Sequence, residues 1–233
     1  MMFKIVLYLS ILLFIISSCN MNTAKDRNAV HFTRTLDILQ SKGTLTIVTF
    51  GDSVTAGFGV GKNFSDYLKE RLNHMFPESN IRMINSGVYG ESAGKGLLRI
   101  EKDVLRYNPD LVTINFGLNE IKLGISKKEF TGNIQSMIER IRKDTDSEIM
   151  LLTTNMTAND ILSAHLIPIN SALRDISRKM KVGCADVYAA WEDKVKSGVP
   201  PRSLLVDSVH PDETGHRLIA ETIIDRLGLT PKF

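Results

Sequence analysis

Five short apolar runs, at residues 46–50, 81–85, 111–116, 148–153 and 182–187, recur along the chain with a longer stretch between each and the next. Runs of this length rich in Ile, Val and Phe read as strands, and the stretches between them carry apolar residues at helical spacing. Phe64, Tyr67, Leu68 and Leu72 share one helix face, and Phe130, Ile134, Met137, Ile138 and Ile141 share another. Such alternation builds βαβ units, so the expected fold class is α/β: a parallel five-stranded sheet in a three-layer α/β/α sandwich. Further helices are predicted over 29–40, with Val30, Leu36 and Leu39 on one face, and over 96–106 and 213–227. Residues 161–180 read as an interrupted helical region. With no internal repeat and no second composition regime, a single domain over 29–233 is the economical arrangement.

The N-terminus departs from this pattern. Lys4 precedes an almost wholly apolar segment, 5–16, which then meets Ser17, Ser18 and Cys19. That run falls short of the roughly 18–20 residues that span a bilayer and suits a secretory signal. Ile16-Ser17-Ser18-Cys19 resembles the lipobox of bacterial lipoproteins. The resemblance implies a signal peptide over 1–18, cleavage before Cys19 and lipidation of its thiol, with the polar stretch 19–28 as a tether. The expected location is the bacterial cell envelope, exported and held to a membrane through the N-terminal lipid. The second cysteine, Cys184, sits among Val182, Gly183 and Ala185 and reads as core filler. The two cysteines form no disulfide framework and no zinc-type spacing, so no metal is expected. A net charge of +3, scattered along the chain, offers no track for a phosphate backbone, and no nucleic-acid partner is expected. The run GFGVGK at 57–62 lacks the first glycine of a Walker motif, Ala56 standing there, and Asn63 replaces its Ser/Thr. No cofactor is expected.

The first strand run breaks at Gly51 and delivers Asp52 and Ser53 to its carboxyl end, where open α/β sheets place their chemistry. Gly-Asp-Ser is also ordinary turn chemistry. A serine nucleophile needs a base within hydrogen-bond reach and a group that orients the base. Of five histidines, His31 and His74 fall on helical surfaces and His165 in an irregular region. His210 follows Asp207 by three residues, a spacing at which one local turn presents an imidazole beside a carboxylate. His216, one helical turn further on, reads as structural. Taken singly, Asp207 and His210 could equally be a helix cap and a solvated side chain. Gly90 and Asn119, each past the end of a strand, could supply donors to an oxyanion or could be plain loop residues.

Together these positions resemble the GDSL esterase/lipase family, the SGNH hydrolases. Gly51-Asp52-Ser53-Val54-Thr55-Ala56-Gly57 matches its first block, Gly90-Glu91-Ser92 resembles the second, Gly117-Leu118-Asn119-Glu120 the third, and Asp207-Ser208-Val209-His210-Pro211 the last. The resemblance implies a serine esterase with Ser53 as nucleophile, His210 as base and Asp207 as its orienter. It implies an oxyanion hole from the N–H groups of Ser53 and Gly90 and the Asn119 amide, and a flavodoxin-like strand order 2-1-3-4-5. Glu120 departs from the family's usual Asp, and Asp212 from an Asn often found after His-Pro. The family includes carbohydrate deacetylases, lysophospholipases, thioesterases and arylesterases. At a cell envelope, the expected substrate is an acylated glycan, with a lysophospholipid or thioester as the alternative. Glycan binding without turnover, on the same scaffold, is the remaining reading. Loops 88–95, 118–126, 155–165 and 197–209 are expected to meet substrate. Leu118, Leu123, Ile125, Met156 and Leu204 would either line an acyl pocket or pack beneath those loops.

Overall fold

The computed structural model describes residues 30–229. The signal segment 1–18, Cys19 and the tether 19–28 lie outside them. Five strands, β1 (Thr44–Gly51), β2 (Asn80–Gly87), β3 (Leu111–Asn115), β4 (Glu148–Leu152) and β5 (Gly183–Ala185), form one sheet in the order β2-β1-β3-β4-β5. Every pairing is parallel. The order expected from the four sequence blocks is the order observed. β1 is flanked by β2 and β3, so the chain's direction of travel across the sheet reverses there, and ligand sites of open sheets form at that reversal.

The helices are α1 (Thr33–Gln40), α2 (Ser53–Ala56), α3 (Phe64–Met75), α4 (Ala93–Asp103), α5 (Leu118–Lys122), α6 (Lys127–Asp144), α7 (Asp160–Met180), α8 (Val187–Lys196) and α9 (Glu213–Arg226). Successive strand side chains point to opposite faces, and this divides the core in two. Leu45, Ile47, Leu111, Met150 and Leu152 pack on one face with Leu39, Leu68, Trp191 and Ile219 from α1, α3, α8 and α9. Val48, Phe50, Val112, Ile114 and Leu151 pack on the other with Ile100, Ile134, Met137 and Leu173 from α4, α6 and α7. Burial on both faces is why β1, β3 and β4 read as nearly unbroken apolar runs.

Two helix starts and the continuity of a third helix differ from expectation. α1 begins at Thr33 rather than Ala29, because the carboxylate of Glu148, on β4, accepts from the backbone N–H of Arg34 (3.1 Å) and of Thr35 (2.9 Å). α4 begins three residues earlier than predicted, after Ser92, whose hydroxyl faces the Lys95 N–H. α7 is continuous across Pro168. Pro168 removes one main-chain donor, but Leu166, Ile169, Leu173 and Ile176 are buried along the same helix and hold its two halves to the sheet. His165 consequently lies on an exposed helical turn, its Nδ1 2.7 Å from the Ile161 carbonyl.

Candidate active site

Ser53 opens the one-turn helix α2 directly beyond β1 and is buried. Asp52 caps that turn, its Oδ1 accepting from the Val54 N–H at 2.9 Å. The turn closes because the N–H groups of Gly57 and Phe58 return to the Ser53 carbonyl at 3.1 and 3.0 Å. Gly51 has no room for a side chain: a Cβ there would lie 2.2 Å from Thr55 Oγ1 and 2.4 Å from the Asn115 carbonyl. The first block is thus a backbone device that presses α2 against the ends of β1 and β3.

The segment carrying Asp207 and His210 folds on itself. Leu205 and Pro211 form an antiparallel bridge, and the Val206 N–H donates to the His210 carbonyl at 2.9 Å. Inside this turn, Asp207 Oδ1 accepts from the N–H groups of Val209 and His210, both at 2.7 Å. Its Oδ2 lies 2.8 Å from His210 Nδ1. On the other side of the imidazole, His210 Nε2 lies 3.0 Å from Ser53 Oγ. Partial burial raises the Asp207 carboxyl, but hydrogen bonds from the His210 backbone, its ring and the Val209 N–H outweigh this and hold it below its ordinary value. An ionised Asp207 fixes a proton on Nδ1 and leaves Nε2 as an acceptor facing the serine.

Asn119 stands on α5, just after Gly117. Its Nδ2 donates to the Glu91 carbonyl at 2.9 Å and reaches Asp52 Oδ2 at 3.4 Å. The amide therefore ties the loop after β2 to the residue preceding Ser53. Gly90 lies in that loop in an exposed turn at φ +71°, with open space where a Cβ would be. The structure brings the blocks of Ser53, Asn119, Asp207 and His210 to the carboxyl end of the sheet, with Gly90 on the loop next to Asn119.

Several residues of this region are not evident from the sequence. Asn155, beyond β4, donates to the Val209 carbonyl at 2.9 Å and braces the histidine turn. Arg99 donates to the carbonyls of Gly51 (3.0 Å) and Ser86 (2.9 Å) and pairs with Glu91 and Asp103. Phe58 lies against His210, ring centroids 4.2 Å apart. The signal for Phe58 and Asn155 is spatial, and nothing in their local sequence announces it. Asp52 is pushed up to about 7 by complete burial, partly opposed by the Val54 N–H and reinforced by the nearby Glu120. Glu120 is itself raised by burial; one of its oxygens accepts from the Ala93 N–H at 2.6 Å and the other has no hydrogen-bond partner.

The remaining candidates fall outside the site. His216 is buried, accepts from the Phe64 N–H at 3.2 Å and is pushed down to about 4 by desolvation. It is a neutral ring of α9 packed against the start of α3. Leu118 and Leu204 are core residues and Met156, partly buried, packs against the same core cluster, while Leu123 is exposed. A groove of about 1110 Å³ between α3, α8 and α9 includes none of Ser53, Asn119, Asp207 or His210. Cys184 lines it, its thiol pushed up to about 12 by burial and so unreactive. Among the described residues, no group of three or more His, Cys, Asp or Glu could hold a metal ion.

Residues 49–218, most of the chain, match the GDSL-like Lipase/Acylhydrolase family. The chain belongs to that family. As a GDSL/SGNH protein it is a carboxylic ester hydrolase. It is similar to an acetylxylan esterase from Geobacillus stearothermophilus, 23% identical over 205 residues that cover 78% of this chain and 93% of the relative. The uncharacterized lipoprotein YqeF of Bacillus subtilis is 29% identical over 122 residues, 48% of this chain and 49% of that one. The crystal structure of the Geobacillus acetylxylan esterase superposes with a TM-score of 0.71 at 22% identity, over 80% of this chain and 95% of that one, which establishes the common fold.

Proposed function

We propose that this SGNH hydrolase removes acetyl groups from an acylated glycan through Ser53, His210 and Asp207. The observation that carries the reaction is the unbroken line Ser53 Oγ, His210 Nε2, His210 Nδ1, Asp207 Oδ2, with contacts of 3.0 and 2.8 Å. Ser53 Oγ attacks the ester carbonyl while Nε2 takes its proton, and the ionised Asp207 stabilises the imidazolium. The N–H groups of Ser53 and Gly90 and the Asn119 amide receive the oxyanion. Collapse breaks the bond to the alkoxide, which leaves with the proton from Nε2. Water then gives a proton to His210 and attacks the acyl-enzyme, and collapse releases the carboxylic acid as Nε2 returns the proton to Ser53 Oγ. The likeness to an acetylxylan esterase across nearly the whole of that enzyme supports acetyl as the acyl group and a saccharide as the leaving group.

Ser53→Ala and His210→Ala should each lower ester hydrolysis by about a thousandfold or more, and Ser53→Ala should abolish labelling by a fluorophosphonate probe. Unchanged hydrolysis in both variants would sink the mechanism. In a series of esters of increasing acyl length, activity should peak at acetyl. A rise toward long chains would favour the lysophospholipid or thioester alternative.

The same proposal places the enzyme at the envelope through a lipid on Cys19, a reading supported by the lipobox-like ISSC and by the likeness to a lipoprotein. Expressed in bacteria, the full chain should partition into the detergent phase, and Cys19→Ala into the aqueous phase. Equal partitioning of the two would remove the anchor.

A further inference from the structure

Phe58 and Tyr89 are large apolar side chains left exposed beside the reacting atoms, at 40% and 60% of their surface. Phe58 follows α2 and Tyr89 follows β2, so two separate loops bring them together. Their rings meet edge to face, with centroids 5.6 Å apart and an interplanar angle of 81°. Phe58 is also set against the His210 imidazole at 4.2 Å, tilted by 32°. Its position is fixed from behind, because its N–H donates to the Ser53 carbonyl at 3.0 Å. Val88 and Val206, both more than one-third exposed, extend the apolar rim, and Val206 lies against Gly59, next to Phe58. Core packing does not account for rings left this open, and an exposed apolar cluster at a reaction centre marks a surface that a ligand covers.

The proton transfer decides which part of the ligand. His210 gives its proton to the leaving oxygen, so that oxygen must come within hydrogen-bond reach of Nε2. The group it carries then extends along whatever borders the imidazole. That border is Phe58 and, beyond it, Tyr89. The acyl group lies on the other side of the carbonyl carbon from this oxygen.

We propose that Phe58 and Tyr89 form a leaving-group subsite that receives the apolar C–H face of the pyranose ring bearing the ester. The inference rests on the saccharide reading above and assigns the residues that would produce it. A pyranose presents a flat C–H face to an aromatic ring and keeps its hydroxyls in water, which suits an open shelf. A long acyl chain would instead call for an enclosed apolar pocket. Phe58 contacts the imidazole as well as the proposed sugar, so Tyr89 is the residue whose loss isolates the subsite.

The test compares two acetates that share the acyl group and differ in the alcohol: a methyl xylopyranoside acetate and ethyl acetate. In the purified enzyme, the ratio of their kcat/KM values should favour the pyranoside. Tyr89→Ala should lower that ratio about tenfold, chiefly through KM for the pyranoside, and Tyr89→Phe should retain it. A wild-type preference that survives Tyr89→Ala would overturn the subsite alone. A wild-type enzyme with no preference for the pyranoside would overturn the saccharide reading and the subsite with it.

Discussion

Asn119 Nδ2 has two partners of unequal quality. The contact to the Glu91 carbonyl, 2.9 Å, is an ordinary hydrogen bond, whereas the one to Asp52 Oδ2, 3.4 Å, is long. Asp52 is also a weak acceptor, because burial raises its carboxyl to about 7 and keeps much of the population protonated at neutral pH. The first contact holds the amide in place, and its second hydrogen, only weakly engaged by Asp52, is the one left to meet an oxyanion. Its worth would then appear in the transition state rather than in substrate binding. Asn119→Ala should lower kcat by on the order of a hundredfold with little change in KM. Steady-state kinetics on an acetate ester checks this, and a loss of less than about threefold would take Asn119 out of the oxyanion hole.

At the scale of elements, legibility followed the range of the interactions that set each one. α6 was plain because its burial is periodic, Phe130, Ile134, Met137, Ile138 and Ile141, and because Ser126 caps it locally. α3 was plain for the same reasons, with Asn63 and Asp66 closing a capping box. The start of α1 was not, since the carboxylate that caps it comes from a residue more than a hundred positions away. The site divides in the same way. Asp207 and His210 lie three residues apart and meet through a local turn, so their spacing carried the information. Arg99 lies within the predicted helix 96–106 with nothing in the sequence to single it out, yet its guanidinium joins the ends of β1 and β2 to α4. Gly87 lies beyond the expected strand 81–85, yet a Cβ there would fall 2.2 Å from the backbone nitrogen of Ala56, so α2 rests on this glycine. Close approach of this kind leaves no mark in local composition.

For the molecule as a whole, two buried carboxyls and one buried imidazole tilt stability in opposite senses as pH changes. Asp52 has its folded value raised from 3.8 to about 7, so its contribution is full below about 3.8 and is lost as pH rises to about 7. Glu120, also raised by burial, acts in the same direction. His216 has its folded value lowered from 6.5 to about 4, so its contribution is full above 6.5 and is lost as pH falls toward 4. Between these limits the imidazole offsets part of the decline caused by the carboxyls. His216→Asn keeps an oxygen that can accept from the Phe64 N–H and removes the titrating ring. The lost ring volume lowers stability at every pH, and the slope carries the information. Urea unfolding of the variant should show a steeper loss of stability from pH about 4 to about 7 than the wild type does. Parallel profiles would mean that His216 does not titrate differently in the folded and unfolded chain, and the neutral buried ring packed against the start of α3 would have to be abandoned.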